Sequence, residues 1–185
     1  MIFISAPFGN YLSFKNTRSV TGTWTVKPRP GRLGQIIKTL RYTKQGWRNK
    51  LGLRNPGLKA GMWKTNYDDL LSVAAIEQQD WMHILESISP ARNIELNVSC
   101  PNLDSHDDTT AWQGFERFPQ KMLGDYCIVK IPPTSSEALI DKLVDMGYKQ
   151  IHASNTLPTD KGGLSGKVLE PVSYTHLRAH ETVRN

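Results

Sequence analysis

The fold of this chain is decided by ten residues, NIELNVSCPN, which run from Asn93 to Asn102. Residues Ile94 to Ser99 predict a strand that ends abruptly in a loop, because Pro101 cannot donate a hydrogen bond to a strand ladder. The loop presents the thiol of Cys100 at the carboxyl end of a strand, where α/β barrels carry their functional groups. A thiol held there beside amide side chains can remove a proton from a planar, polar substrate.

Cys100 has an alternative interpretation, because most free cysteines are buried core residues. The two carboxamides on either side of it, Asn97 and Asn102, favour a functional site. A core position would leave both amides in need of buried hydrogen-bond partners. We therefore predict a catalytic role for Cys100 and assign the second cysteine, Cys127, to the core.

Size and composition indicate a single soluble globular domain. The chain has 185 residues, 38% hydrophobic and 22% charged, with a formal net charge of +6. A complete eight-stranded α/β barrel typically needs roughly 250 residues. Two cysteines do not form a disulfide framework, and neither a membrane span nor a signal peptide is recognisable, so we expect a cytoplasmic protein.

The positive charge is concentrated between Lys27 and Lys64. Such a stretch is compatible with a nucleic-acid surface. The alternative is a solvated basic face, or a face that attracts an anionic substrate or cofactor. We favour the alternative, because the stretch contains no recognised nucleic-acid motif.

Strand-like and helix-like segments alternate along the chain, which is typical of a parallel sheet with crossover helices. The predicted strands are Ile2–Ala6, Ser19–Val26, Leu70–Ile76, Ile94–Ser99, Cys127–Ile131 and Gln150–Ser154. The predicted helices are Ile36–Gln45, Glu77–Ser89, Trp112–Leu123, and one reaching Met146 that the capping box Thr134-Ser135-Ser136-Glu137 opens. The fold class is therefore α/β, a partial (β/α)8 barrel with about six βα units and the last two missing.

Residues 1–171 form the predicted barrel domain, and the chain changes character after it. The segment from Ser173 to Thr182 has no apolar period and resembles translated sequencing-adapter sequence. We interpret residues 172–185 as a non-native or disordered tail and exclude His176 and His180 from the site. A barrel without its last two units would lack the phosphate-binding loops, so we expect weak or no flavin retention, a tendency to aggregate and an inactive fragment, the activity belonging to the full-length parent.

Seven motifs lie along the chain in barrel order. They are Ser5-Ala6-Pro7-Phe8-Gly9-Asn10, Thr25-Val26-Lys27-Pro28-Arg29-Pro30-Gly31, Asn49-Lys50-Leu51-Gly52-Leu53-Arg54-Asn55-Pro56-Gly57, Asn97 to Asn102, Val129-Lys130-Ile131-Pro132-Pro133, Ser154-Asn155-Thr156 and Gly162-Gly163-Leu164-Ser165-Gly166. This ordered set resembles the dihydroorotate dehydrogenase family of FMN-dependent α/β barrels, over Ile2 to Pro171. The resemblance implies oxidation of dihydroorotate to orotate in pyrimidine biosynthesis, with FMN as cofactor.

The resemblance also implies a role for each matching position. Cys100 matches the catalytic base. The implied substrate-binding residues are Asn49, Leu51, Gly52, Leu53, Asn97, Asn102 and Asn155. The implied flavin-contacting residues are Ala6, Thr21, Lys130, Ser165 and Gly166. No metal is implied, the partner is the small-molecule substrate rather than nucleic acid or membrane, and the electron acceptor and the homo-oligomerisation of the full-length parent stay open.

Several positions depart from the family pattern or have alternative interpretations. Gly22 stands where the family usually has a lysine, and Lys27 lies further along. Lys130 also fits a barrel-interior lysine paired with Glu95, and His152 fits a barrel histidine whose hydrogen bonds are satisfied. The acidic loop around Asp104 is interpreted as solvated rather than metal-binding.

Three rival functions remain. A dihydrouridine synthase-like flavoenzyme acting on tRNA would explain the basic charge. The pyrimidine-reducing domain of a dihydropyrimidine dehydrogenase shares the Asn-x-Ser-Cys-Pro motif. A non-catalytic basic barrel fragment would bind anions or nucleic acid, and binding that is sensitive to salt would favour it.

Overall fold

The computed structural model describes residues 1–77, 79–99, 114–153 and 156–169. The strands in these ranges are β1 Ile2–Ile4, β2 Thr17–Thr25, β3 Arg41–Thr43, β4 Gly46–Asn49, β5 Leu70–Ala74, β6 Ile94–Asn97, β7 Cys127–Ile131, β8 Gln150–Ala153, β9 Leu157–Thr159 and β10 Gly162–Ser165. The α-helices are α1 Arg32–Thr39, α2 Leu58–Lys64, α3 Asp80–Ser87, α4 Phe118–Lys121 and α5 Glu137–Asp145. None of these helices is long and apolar enough to cross a membrane.

The main sheet confirms the predicted fold class. Six strands pair in the order β1-β2-β5-β6-β7-β8, and every neighbouring pair is parallel. The strands are therefore added in one direction along the sheet, as in an α/β barrel rather than a doubly wound fold. All six correspond to predicted strands, and β7 has the predicted bounds.

A second, smaller sheet was not predicted. β3, β4, β10 and β9 pair antiparallel in that order. The predicted helix Ile36–Gln45 is wrong beyond its first half, because α1 ends at Thr39 and the chain turns into the β3–β4 hairpin. Glycine is required in this hairpin, because a Cβ on Gly46 would lie 2.0 Å from the carbonyl oxygen of Ser165. Pairing with β10, more than 100 residues away, leaves no local signal in the sequence.

The hydrophobic core lies between the outer face of the main sheet and the helices. On β6, Ile94 and Leu96 join this core, while Glu95 and Asn97 lie on the opposite, inner face, as strand alternation requires. Trp81 anchors the helical side, with its ring edge-on to two fully buried phenylalanines at 5.0 and 6.0 Å. On β6 the inner face is thus polar although it is buried.

Two local predictions need correction. The helix cap of α5 is Ser136, whose Oγ accepts a hydrogen bond from the backbone N–H of Leu139 at 3.3 Å, so the capping box starting at Thr134 is wrong. The preceding residues instead form a turn on the carbonyl of Pro132. The predicted helix Trp112–Leu123 is a 3-10 turn, Phe115–Arg117, followed by the short α4, and Trp112 lies outside the described residues.

Candidate active site

Five strands of the main sheet place polar side chains on its inner face, and hydrogen bonds join most of them. The participants are Thr23 on β2, Ser72 on β5, Glu95 and Asn97 on β6, Lys130 on β7 and His152 on β8. Branched aliphatic residues fill this space in most α/β barrels. Buried polar groups in their place indicate a site for a polar ligand, since a polar group costs free energy when it is buried without a function or a partner.

Glu95 is the centre of this set and is 1% exposed. Its Oε1 accepts a hydrogen bond from Ser72 Oγ at 2.7 Å, and its Oε2 lies 2.8 Å from His152 Nδ1. Burial by itself would raise the pKa of Glu95, but the His152 hydrogen bond, the positive charge of Lys130 and the Ser72 hydrogen bond together hold that pKa below its ordinary value. Glu95 is therefore a carboxylate at neutral pH, and His152 is a bonded barrel histidine, as predicted.

Lys130 lies beside Asn97 across the β6–β7 ladder and is 5% exposed. Among the described residues no hydrogen bond or ion pair reaches its ammonium group. The predicted pairing with Glu95 is thus a through-space attraction rather than a contact. A buried ammonium group without an acceptor in the described part of the chain is suited to an anionic or strongly accepting ligand.

Asn97 is held at both ends of its amide. Its Nδ2 donates to Thr23 Oγ1 at 2.9 Å, and its Oδ1 accepts hydrogen bonds from the backbone N–H and the hydroxyl of Ser99. Thr23 Oγ1 in turn lies 3.1 Å from Ser72 Oγ. A continuous chain of hydrogen bonds therefore runs from Asn97 to Glu95.

A separate group of predicted substrate residues lies in the segment after β4. Asn49 pairs with Gly163 of β10, and its Oδ1 accepts from the N–H of Leu51 at 3.3 Å. Gly52 and Leu53 both have positive φ, 60° and 52°. The left-handed region is costly for a branched residue such as leucine, so the surrounding contacts must hold this turn in place.

Asn55 is the residue that holds the turn, and the sequence analysis gave it no role. It is 6% exposed. Its Nδ2 donates to Thr25 Oγ1 at 2.9 Å and to the carbonyl of Leu53 at 2.6 Å. Its Oδ1 accepts from the N–H groups of Thr25 and Gly57 at 3.2 and 2.8 Å. These bonds fasten the predicted substrate-side backbone to the carboxyl end of β2.

Replacing Asn55 with alanine is expected to lower the free energy of unfolding by about 1–3 kcal/mol, because two buried N–H groups lose their acceptor. Urea unfolding at neutral pH measures this. Asn66→Ala is a matched control, since Asn66 is exposed and, within the described ranges, its amide bonds only Asp69. An Asn55→Ala variant as stable as the Asn66→Ala variant would show that the turn does not depend on Asn55.

The predicted flavin-contacting residues lie in different parts of the structure. Thr21 is 8% exposed, and its hydroxyl lies 2.5 Å from Thr65 Oγ1, next to α2, while Thr23 faces the inner surface. Ala6 follows β1 and is half-buried. Ser165 ends β10, where its hydroxyl donates to the carbonyl of Trp47 at 3.2 Å, and Gly166 follows it. Because the Thr21 hydroxyl bonds Thr65, Thr21 could contact a ligand on the inner face through its backbone.

The departures from the family pattern have a structural basis. A side chain at Gly22 would place its Cβ 2.5 Å from the carbonyl oxygen of Ser72, so no lysine fits there. Lys27 is exposed and donates to Glu77 Oε1 at 2.7 Å. This hydrogen bond and the charge of Glu77 raise the pKa of Lys27.

Arginines of the basic stretch are partly used by the fold itself. Arg29, Arg41 and Arg54 each donate to backbone carbonyls of the same stretch. These bonds fix the guanidinium groups locally without neutralising their charge, so the stretch remains an exposed basic surface.

Some predicted residues lie outside the described part of the chain. These are Cys100, Asn102, Asn155, the loop around Asp104 and the tail 172–185, and their roles stay predictions. Ser72 and Thr23 are the functional candidates that the sequence analysis missed. A signal for Ser72 was present, because it is the single polar residue in the buried run Leu70–Ala75.

The fold and the site together define a parallel α/β barrel-type protein with a buried polar face formed by its strands. No protein-family profile matches the chain. Its curated relatives are dihydroorotate dehydrogenases, which confirms the predicted resemblance. The catalytic subunit of the NAD(+)-dependent B enzyme of Bacillus pumilus (strain SAFR-032) is 27% identical over 90% of this chain and 64% of the relative.

Two further relatives extend the comparison. The corresponding B-type subunit of Latilactobacillus sakei subsp. sakei (strain 23K) is 28% identical over 83% of this chain and 61% of the relative. The A-type, fumarate enzyme of Lactiplantibacillus plantarum is 24% identical over 91% and 67%. The chain thus spans about three fifths of the length of the relatives it matches. Because both NAD(+) and fumarate types match, the similarity does not select an electron acceptor.

Proposed function

We propose that this chain carries the substrate-oxidising site of a dihydroorotate dehydrogenase, which converts dihydroorotate to orotate in pyrimidine biosynthesis with FMN as cofactor. One observation carries the proposal. The ammonium group of Lys130 is buried on the inner face beside Asn97 and lacks an acceptor among the described residues. The names of the relatives support the same reaction.

The residues present fit FMN. An unpaired buried cation suits the pyrimidine edge of a flavin, where negative charge accumulates on reduction, and Lys130 would lie there. The backbone at Ala6 and Thr21 and the turn at Ser165 and Gly166 would hold the remainder of the cofactor. When bound, FMN supplies the acceptor for the hydride that leaves the substrate.

The substrate would be held by carboxamides and acted on by the thiol. Four carboxamides would form hydrogen bonds with the ring and carboxylate of the substrate: Asn49, Asn97, Asn102 and Asn155. The backbone from Leu51 to Leu53 would contact the same substrate. Such fixed donors orient the ring before the reaction. Cys100, as a thiolate, would take the proton from C5 of dihydroorotate.

For the partners, we propose a small-molecule substrate, an electron acceptor that stays open, and no nucleic-acid or membrane partner. The expected location is the cytoplasm.

The proposal is tested by mixing the FMN-saturated protein with dihydroorotate without oxygen. We expect the visible absorption band of oxidised flavin to disappear and orotate to form in equal amount. Matched samples receive dihydrouracil or a tRNA that contains dihydrouridine. Bleaching by either of these, with none by dihydroorotate, would overturn the proposal in favour of the related flavoenzymes.

A further inference from the structure

We propose that Glu95 is a positioning residue, which acts through Ser72 and Thr23 to fix the orientation of the Asn97 amide, so that Asn97 offers an N–H donor to the ligand. This inference rests on the proposed function in taking orotate as that ligand. The hydrogen-bond chain itself is a property of the protein and can be measured without any ligand.

The direction of each hydrogen bond in the series from Glu95 to Asn97 follows from the number of hydrogens that each group can donate. A carboxylate only accepts hydrogen bonds, and a hydroxyl has a single hydrogen to donate. Ser72 donates its hydrogen to Glu95 Oε1 at 2.7 Å, so in the 3.1 Å contact with Thr23 it must accept. Thr23 has then used its own hydrogen and must accept from Asn97 at 2.9 Å. Only the NH2 end of the Asn97 amide can donate that bond.

The other end of the same amide is consistent with this orientation. Asn97 Oδ1 accepts from the backbone N–H of Ser99 at 3.2 Å, which a carbonyl oxygen can do and an NH2 group cannot. The Ser99 hydroxyl bonds the same oxygen. Both lone pairs of Oδ1 are thereby used, and the second hydrogen on Nδ2 is what remains for a ligand. With Lys130 as its neighbour on β7, this part of the face presents donors and selects an oxygen acceptor such as a ring carbonyl or a carboxylate.

Reversal of the amide is opposed by the charge on Glu95. If Asn97 turned its oxygen toward Thr23, both hydroxyls would have to reverse, and Ser72 would present a lone pair to Glu95 Oε1. Only a protonated Glu95 could tolerate that arrangement. The groups that face Glu95 are Ser72 from β5, Lys130 from β7 and His152 from β8, and they favour its ionised form.

The test breaks the series of hydrogen bonds at Ser72. It measures hydrogen exchange of the Asn97 side chain and the affinity for the ligand. In a Ser72→Ala variant the hydrogen of Thr23 is free to turn toward Asn97, so the orientation of the amide is held only by its bonds to Ser99 and is weakened. We expect hydrogen exchange of the Asn97 side-chain NH2, followed by NMR, to become faster by about tenfold, and the Kd for orotate to rise by a similar factor. Ser72→Thr, which restores the hydroxyl, should recover both values in part.

Ser19→Ala is the matched control, because Ser19 is a buried serine of the same sheet whose hydroxyl donates to the carbonyl of Leu12 instead. It should leave both values unchanged. An Asn97 exchange rate that Ser72→Ala does not alter would overturn the inference, whatever happens to orotate binding. A wild-type protein that does not bind orotate would overturn the proposed function, while the exchange rates still decide the hydrogen-bond chain.

Discussion

Replacement of Cys100 by alanine is expected to lower kcat for dihydroorotate by about 10²–10⁴-fold, the usual contribution of a general base. The reason is that the other polar side chains of the Asn97–Asn102 stretch are amides and a hydroxyl, which are far weaker bases than a thiolate. Flavin content and the Kd for orotate should stay near their wild-type values, since the carboxamides and Lys130 remain. Steady-state turnover with an artificial electron acceptor, together with the flavin spectrum, measures the change.

Cys127→Ala is the matched control for this experiment. Cys127 begins β7 and is largely buried, and its burial raises the pKa of its thiol to about 12. It is therefore a protonated thiol at neutral pH and a poor base. Turnover per folded molecule should be unaffected by its loss. If Cys100→Ala and Cys127→Ala had equal turnover, the assignment of the base would be wrong.

Replacement of Lys130 by methionine is expected to lower kcat by about 10²–10³-fold, the range found when one charge-stabilising group is lost from an active site. Methionine keeps the length and apolar stem of the side chain but removes the ammonium group that faces the ligand. Stopped-flow measurement of flavin reduction by dihydroorotate isolates the step concerned. Lys149→Met, at an exposed position, is the control and should reduce flavin at the wild-type rate.

The Lys130→Met variant should also change how the stability of the protein depends on pH. The folded-state pKa of Glu95 is lowered, so its ionisation adds stability that is present above the unfolded-state pKa and is lost as the pH falls through the folded-state value. Without the charge of Lys130 that pKa rises toward its ordinary value, so the stability lost on acidification is smaller and its loss is complete at a higher pH. Urea midpoints between about pH 3 and 7 measure this. A Lys130→Met profile with the wild-type shape would mean that the two residues do not interact.

Much of the fold followed from local patterns in the sequence. β5, β6 and β7 are short, apolar and bounded by polar or proline residues. This local pattern is sufficient to predict a buried strand. Asn97 and Lys130 came from the family resemblance, and Glu95 was expected as the partner of Lys130 because it shares a strand face with Asn97.

The parts that were missed depend on contacts between distant segments. The small sheet exists because β4 pairs with β10, and neither strand has an apolar period of its own. The register of β2 shifts between Thr21 and Trp24, which turns Thr23 rather than Thr21 to the inner face. The helix cap of α5 moved to Ser136 because a turn on Pro132 precedes it.

The most direct test of the account is a crystal structure of the protein with FMN and orotate. We expect orotate on the inner face, with one of its oxygen atoms about 3 Å from Asn97 Nδ2. We also expect the sulfur of Cys100 over the orotate ring, on the side away from the flavin and Lys130. Orotate bound elsewhere, or a Cys100 sulfur directed away from the carboxamides, would contradict the account.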